Sequence, residues 1–257
     1  MKVRVCADAQ AAGRAAAREV ASLLKARPSA VLGLATGHTM IPVYGELVRL
    51  HEEDGLSFAA AVSFNLDEYV GVGPGHADSY YEFMMLRLAR QVDLPAGSFH
   101  ILDGLAADLA AECRRYEDLI RTLGGIDLQL LGLGRNGHIA FNEPGSSPDS
   151  RTRAIALTDQ TRQINRGDYR KLDDTPPRAL TMGIATILEA KKIALVVTGW
   201  EKAEILHRVL TTAATSDIPA TFLHRHPDVT LVADQEAMEV YVERQGMVFE
   251  AGPPGSG

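Results

Sequence analysis

Between residues 134 and 147 the chain reads GRNGHIAFNEPGSS, which gathers Asn136, His138, Asn142 and Glu143 into one short stretch bounded by glycines and a proline. Imidazole is the side chain that both takes and gives a proton near neutral pH. A carboxylate beside it can fix its tautomer and raise its basicity, so His138 with Glu143 is a candidate acid–base pair. A loop of this kind has little structural use for a histidine. The histidines at 51, 76, 100 and 207 read instead as surface or satisfied core residues.

Two further clusters could join that chemistry. Asp67 and Glu68 stand in FNLDEYVGV, just after an apolar run. Such acids serve as loop residues, as helix caps, or as a general base; near an apolar sheet edge a carboxylate can take a proton from carbon next to a carbonyl. Thr36, Gly37, His38 and Thr39 follow the run AVLGLA. A glycine there lets backbone N–H groups turn toward an anion at a helix N-terminus, with threonine hydroxyls as extra donors. A plain strand-to-helix turn with a threonine cap fits the same residues.

Other chemistries are poorly served. The His138–Glu143 spacing is not a zinc helix motif, and neither a second histidine nor a cysteine lies nearby in sequence. His224 and His226 in FLHRHPDV read as a surface turn before a strand. A G-x-S-x-G elbow for serine hydrolysis is missing. Neither a metal nor a cofactor is expected.

The elements that must position these clusters alternate along the chain. Strand-like runs occupy residues 1–6, 30–35, 60–64, 127–134, 192–199 and 229–234. Helix-like stretches occupy 9–26, 41–51, 79–91, 108–124, 179–190 and 201–210. This alternation predicts βαβ units and a Rossmann-like α/β fold: an open, mainly parallel sheet with helices on both faces. Without a convincing linker or internal repeat, residues 1–250 are expected to form a single domain, and the AGPPGSG tail (251–257) to be disordered. Ligands of open parallel sheets bind beyond the carboxyl ends of the strands, and all three polar clusters fall just after strand-like runs.

Composition narrows the partners. A net charge of −7 disfavours nucleic acid, which needs a basic footprint, but not a small anion held by a few local donors. The longest apolar runs are far shorter than a bilayer span, and the two cysteines, Cys6 and Cys113, have no metal-ligand spacing. With no secretory leader at residue 1, a cytoplasmic setting without membrane association is expected.

The motifs LGLATG, FNLDEYVGV, HADSYYEFM, LLGLGRNGHIAFNEPGSS, SRTR and ALTMGIATIL, from about Val31 to Asp234, resemble the glucosamine-6-phosphate deaminase (isomerase) family in order and content. The resemblance implies conversion of an amino-aldose 6-phosphate to a ketose 6-phosphate and ammonia, without metal or cofactor. It assigns ring opening to His138 held by Glu143, C2–C1 proton transfer to Asp67, and orientation to Asn136. It assigns the phosphate grip to Thr36–Thr39 and Lys202. Two positions depart from the family. His38 stands where a second glycine is usual, and the phosphate-binding arginine falls on Gly167, leaving its neighbour Arg166 as the substitute. These changes leave open a different or unphosphorylated amino sugar as substrate, or a catalytically degraded sugar-phosphate-binding regulator. Arg153 is retained near the effector site of some relatives, but Ile155 replaces a lysine, so activation by an N-acetylated sugar phosphate is not expected. Family members differ in assembly, and a homo-oligomer is compatible with the resemblance.

Overall fold

The computed structural model describes residues 1–158, 161–163 and 175–247. The tail 251–257, Arg166 and Gly167 lie outside the described residues. Strand β1 (Lys2–Cys6) leads into helix α1 (Ala9–Ala26), whose N-terminus is capped by Asp8 accepting the Ala11 N–H at 2.7 Å. An alanine-rich helix of this length has high intrinsic propensity, and Pro28 follows its end.

The main sheet is completed by β2 (Val31–Leu34), β3 (Val62–Asn65), β5 (Phe99–His100), β6 (Leu128–Gly132), β9 (Ile193–Val197) and β10 (Val229–Asp234). Its order is β1-β10-β9-β6-β2-β3-β5, and each of its recorded ladders is parallel. Strands β2 and β9 are buried along their whole length, as continuous apolar runs covered on both faces should be. Helices α2 (Ile41–Asp54), α3 (Tyr80–Met84), α4 (Leu109–Thr122), α5 (Ile184–Leu188), α6 (Ala203–Thr211) and α7 (Gln235–Arg244) pack around the sheet. Tyr116 of α4 locks that helix in place. It is fully buried, meets the Phe64 ring edge-on at 5.3 Å, and donates its hydroxyl to the Asn65 carbonyl at 2.8 Å.

A second sheet was not legible in the sequence. Strands β4 (Asp67–Tyr69), β7 (Arg153–Ala156) and β8 (Arg178–Thr181) form an antiparallel sheet in the order β4-β8-β7. The helix expected over 179–190 is therefore wrong at its start: residues 179–181 are strand, and only Ile184–Leu188 is helical. A short buried apolar run carries no periodicity that separates the two states, and pairing with Asp67–Tyr69 decides it. The helix expected over 79–91 is also divided, since α3 gives way to a π-helical stretch over Met85–Ala89. Helix α7 has no counterpart in the sequence reading.

Strands β2 and β9 flank β6, and both end in Thr–Gly followed by a 3₁₀ turn. Gly37 (φ +106°) precedes His38–Met40, and Gly199 (φ +87°) precedes Trp200–Lys202. Both glycines occupy backbone conformations that side chains resist. The chain leaves β2 toward β3, while β6 lies on the other side of β2. The carboxyl ends of β2 and β6 thus border the crevice where open α/β sheets take ligands.

Candidate active site

The stretch after β6 folds into a compact loop. The Gly134 N–H donates to the His138 carbonyl, and the Gly137 N–H to the Gly134 carbonyl, both at 2.9 Å. The His138 ring lies directly over Gly134: a Cβ on that glycine would sit 2.3 Å from two ring atoms and 2.4 Å from a third. Only glycine leaves room for the imidazole. Ala140 then adopts φ +49°, the single non-glycine with positive φ among the described residues. Such a conformation costs about 1–3 kcal/mol and persists where its surroundings over-determine it. Here the buried Asn142 amide supplies the clamp, donating to the Ile139 carbonyl at 3.0 Å and the Met182 carbonyl at 2.8 Å, while its oxygen accepts from Arg153 at 2.8 Å.

That backbone reversal returns Glu143 to the side chains ahead of it. Asn136 Nδ2 donates to Glu143 Oε2 at 2.6 Å, and Asn136 Oδ1 accepts the His138 backbone N–H at 3.2 Å. His138 Nδ1 faces Glu143 Oε1 at 3.6 Å, too far for a hydrogen bond. That ring nitrogen is buried and has no hydrogen-bond partner among the described residues. Oε1 instead accepts from the hydroxyl of Thr161, a residue 18 positions away that sequence reading missed, since no local pattern links the two. Glu143 acts to make His138 more basic, as expected, but it does not set the net shift. Burial holds the imidazole below its usual range; Glu143 pulls the other way without prevailing, and Lys202 adds to the depression.

Asp67 opens β4, one residue after Leu66 whose N–H donates to the Leu34 carbonyl of β2 at 3.1 Å. Its carboxyl is buried at 6% exposure, and no donor among the described residues is recorded on it. Burial first, and the Glu68 charge second, push it well above the usual carboxylate range. Glu68 points to different partners. Its oxygens accept the backbone N–H groups of Tyr69 at 2.8 Å, Tyr80 at 3.0 Å and Tyr81 at 2.9 Å, anchoring the first turn of α3. Asp67 pairs with Thr181 in the second sheet, and the Thr181 hydroxyl accepts the Phe141 N–H at 3.1 Å. The small sheet therefore ties Asp67 to the His138 loop.

Beside them lie the two Thr–Gly turns. Thr36, Gly37 and Thr39 are partly exposed and His38 is exposed, in a turn that continues into α2 and whose leading N–H groups have no intrahelical acceptor. Lys202 ends the matching turn after β9. Burial, then the nearby Arg135 guanidinium, lower its ammonium to a pKa of about 8, with Glu201 opposing. Arg135, which also pairs with Glu201, is a second cation at this edge that the sequence reading did not single out.

Two other histidines pack their rings against backbone carbonyls. His226 is not on a surface turn as expected: it is buried, with Nε2 at 2.6 Å from the Ala190 carbonyl, and His224 Nε2 lies 2.7 Å from the Val209 carbonyl. Among the described residues no group of three or more His, Cys, Asp or Glu is placed to hold a metal ion, and no helix is long and apolar enough to cross a membrane. Two clefts of about 710 and 730 Å³, one between β1 and α1 and one along α4, contain none of the site residues.

Known proteins fit this geometry. Residues 7–232 match the family described as glucosamine-6-phosphate isomerases/6-phosphogluconolactonase. A glucosamine-6-phosphate deaminase of Geobacillus sp. (strain WCH70) is 43% identical over 249 residues, covering 97% of this chain and 99% of the relative. Glucosamine-6-phosphate deaminase 1 of Bacillus subtilis (strain 168) is 46% identical, covering 92% and 98%. The solved structure of a monomeric glucosamine-6-phosphate deaminase superposes with a TM-score of 0.92 at 46% identity, covering 93% of this chain and all of that one. A 6-phosphogluconolactonase from Trypanosoma brucei, at 23% identity and a TM-score of 0.72, shares the fold. The chain belongs to the glucosamine-6-phosphate isomerase/6-phosphogluconolactonase family.

Proposed function

We propose that this chain converts glucosamine 6-phosphate and water to fructose 6-phosphate and ammonia. The observation that carries this reading is a buried carboxylate, Asp67, tied through the small sheet to the His138–Glu143–Asn136 cluster. Hydrolysis of a lactone needs no base at C2, whereas aldose–ketose isomerisation does. Near-full-length relatives named as deaminases support the same side of the family.

The chemistry follows from each environment. His138, held below the usual imidazole range, is neutral at pH 7 and free to move a proton between the anomeric hydroxyl and the ring oxygen, opening the hemiacetal. In the open chain the C1 carbonyl acidifies the C2–H bond. Asp67 takes that proton, its raised basicity matching the task, and returns it to C1. The C1 oxygen takes up a proton that the amino group gives up, and the double bond then lies between C2 and nitrogen. Water adds at C2 and ammonia leaves, giving the ketose. Asn136 orients Glu143 and takes no proton itself, since an amide does not titrate.

Phosphate binding falls to the Thr36–Thr39 turn, Lys202 and Arg166, with His38 and Arg135 at its border. An N–H-rich helix entry plus one ammonium can hold a phosphate. Because Lys202 loses its proton at about pH 8, KM for the phosphorylated sugar is expected to rise as pH passes that value. Lys202→Met should raise KM roughly 10- to 100-fold, the worth of one charged hydrogen bond, and abolish the alkaline rise. Steady-state kinetics from pH 6.5 to 9.5 checks both; a KM unchanged by the substitution removes Lys202 from the grip.

The reading itself is tested by incubating purified protein with glucosamine 6-phosphate and assaying ammonia and ketose phosphate together. Stoichiometric release of both is expected. Turnover of a 6-phosphogluconolactone with no ammonia from the amino sugar would overturn it.

A further inference from the structure

We propose that Thr161 is a positioning residue that occupies Glu143 and so keeps the carboxylate from capturing His138. This rests on the proton-transfer role of His138 given above. Thr161 is 1% exposed, and its hydroxyl donates to Glu143 Oε1, the oxygen that faces His138 Nδ1 at 3.6 Å. A hydroxyl carries one proton but two acceptor sites. The Thr158 hydroxyl donates to Thr161 Oγ1 at 3.1 Å, which leaves the Thr161 proton committed to Glu143. Asn136 holds the other carboxylate oxygen at 2.6 Å. Both oxygens of Glu143 thus have donors, and neither donor is His138.

The arrangement bears directly on the reaction. The charged groups acting on His138 are Glu143, from its own loop, and Lys202, from the turn after β9. A carboxylate whose charge is spread over two other hydrogen bonds is a weaker partner for an imidazolium. If Oε1 were released, the protonated Nδ1, 3.6 Å away, could close on it, and an ion pair would hold the proton that ring opening must pass on. The buried Nδ1, without a hydrogen-bond partner among the described residues, fits a ring kept out of such a pair.

The test compares Thr161→Val, which keeps shape and removes the hydroxyl, with Thr161→Ser, which keeps the hydroxyl. The His138 titration is followed by NMR of the imidazole nitrogens in ligand-free protein, with His138→Gln assigning the signal. Valine is expected to move the midpoint upward by roughly half a pH unit or more, the scale of one hydrogen bond. Serine should restore it. In Thr161→Val combined with Glu143→Gln the upward shift should vanish, because the charge is gone. An unchanged midpoint in the valine variant overturns the proposal, as does an equal shift in the serine variant. If valine does not fold, Thr161→Ala takes its place with the same two outcomes. The titration needs no substrate, so it stands or falls separately from the deaminase assay. In an active enzyme, the acid limb of the pH–rate profile should move upward with the midpoint.

Discussion

Asp67→Asn is expected to lower kcat by about 10³-fold or more, and at the same time to make the protein more stable at neutral pH. The first effect follows if Asp67 is the base proposed to carry hydrogen between C2 and C1, since general acid–base catalysis is worth roughly 10²–10⁴-fold. It has a specific signature: exchange of the C1 hydrogen of fructose 6-phosphate into deuterated water should stop. The second effect follows from burial. The Asp67 carboxyl is 6% exposed with no hydrogen-bond donor among the described residues, and its pKa is raised well above the usual carboxylate range. Its charged form is therefore disfavoured in the fold and not in the unfolded chain. Stability linked to this group is fully present below the ordinary carboxylate pKa of about 3.9, and is lost as pH rises through the folded value. An amide of the same shape escapes that loss. Thermal melts should show the variant higher by roughly 2–4 °C at pH 7, the size of about 1 kcal/mol in a chain of this length, with the gap closing in acid. A variant that is destabilised at pH 7, or that still exchanges hydrogen, would remove Asp67 from the role of buried base.

His138→Gln is expected to cost about 10²-fold or more on the cyclic sugar while leaving hydrogen transfer by Asp67 intact. Glutamine fills much of the imidazole's space over Gly134 but cannot pass a proton. The open-chain sugar, formed slowly in solution, should still be consumed. The variant therefore has a kinetic mark that a merely damaged enzyme lacks. As its concentration is raised, the rate should level off at the uncatalysed ring-opening rate, which the enzyme does not set. A rate that stays proportional to enzyme concentration would place His138 outside ring opening.

Much of the candidate site was legible because it is local. Asn136, His138 and Glu143 lie within eight residues, and the glycines that let this stretch fold back are in the same run. Six of the main sheet's seven strands were equally plain, the two-residue β5 excepted, since a sheet with helices on both faces demands continuous apolar runs such as β2 and β9. The rule that ligands sit beyond strand carboxyl ends then brought the Thr36–Thr39, Asp67 and His138 clusters to one edge before any coordinates.

What the sequence could not decide were interactions between distant residues. Strands β4, β7 and β8 are three or four residues long with no alternating pattern, and exist because they pair with one another. Asp67 and Glu68 are adjacent acids of identical local promise. Only tertiary structure gives Glu68 three backbone donors and leaves Asp67 buried beside it. Glu143 appeared in sequence as the partner that would make His138 basic. Burial of the ring outweighs that pull, with Lys202 adding to the depression, because proton affinity depends on which charges and how much water surround a group in space.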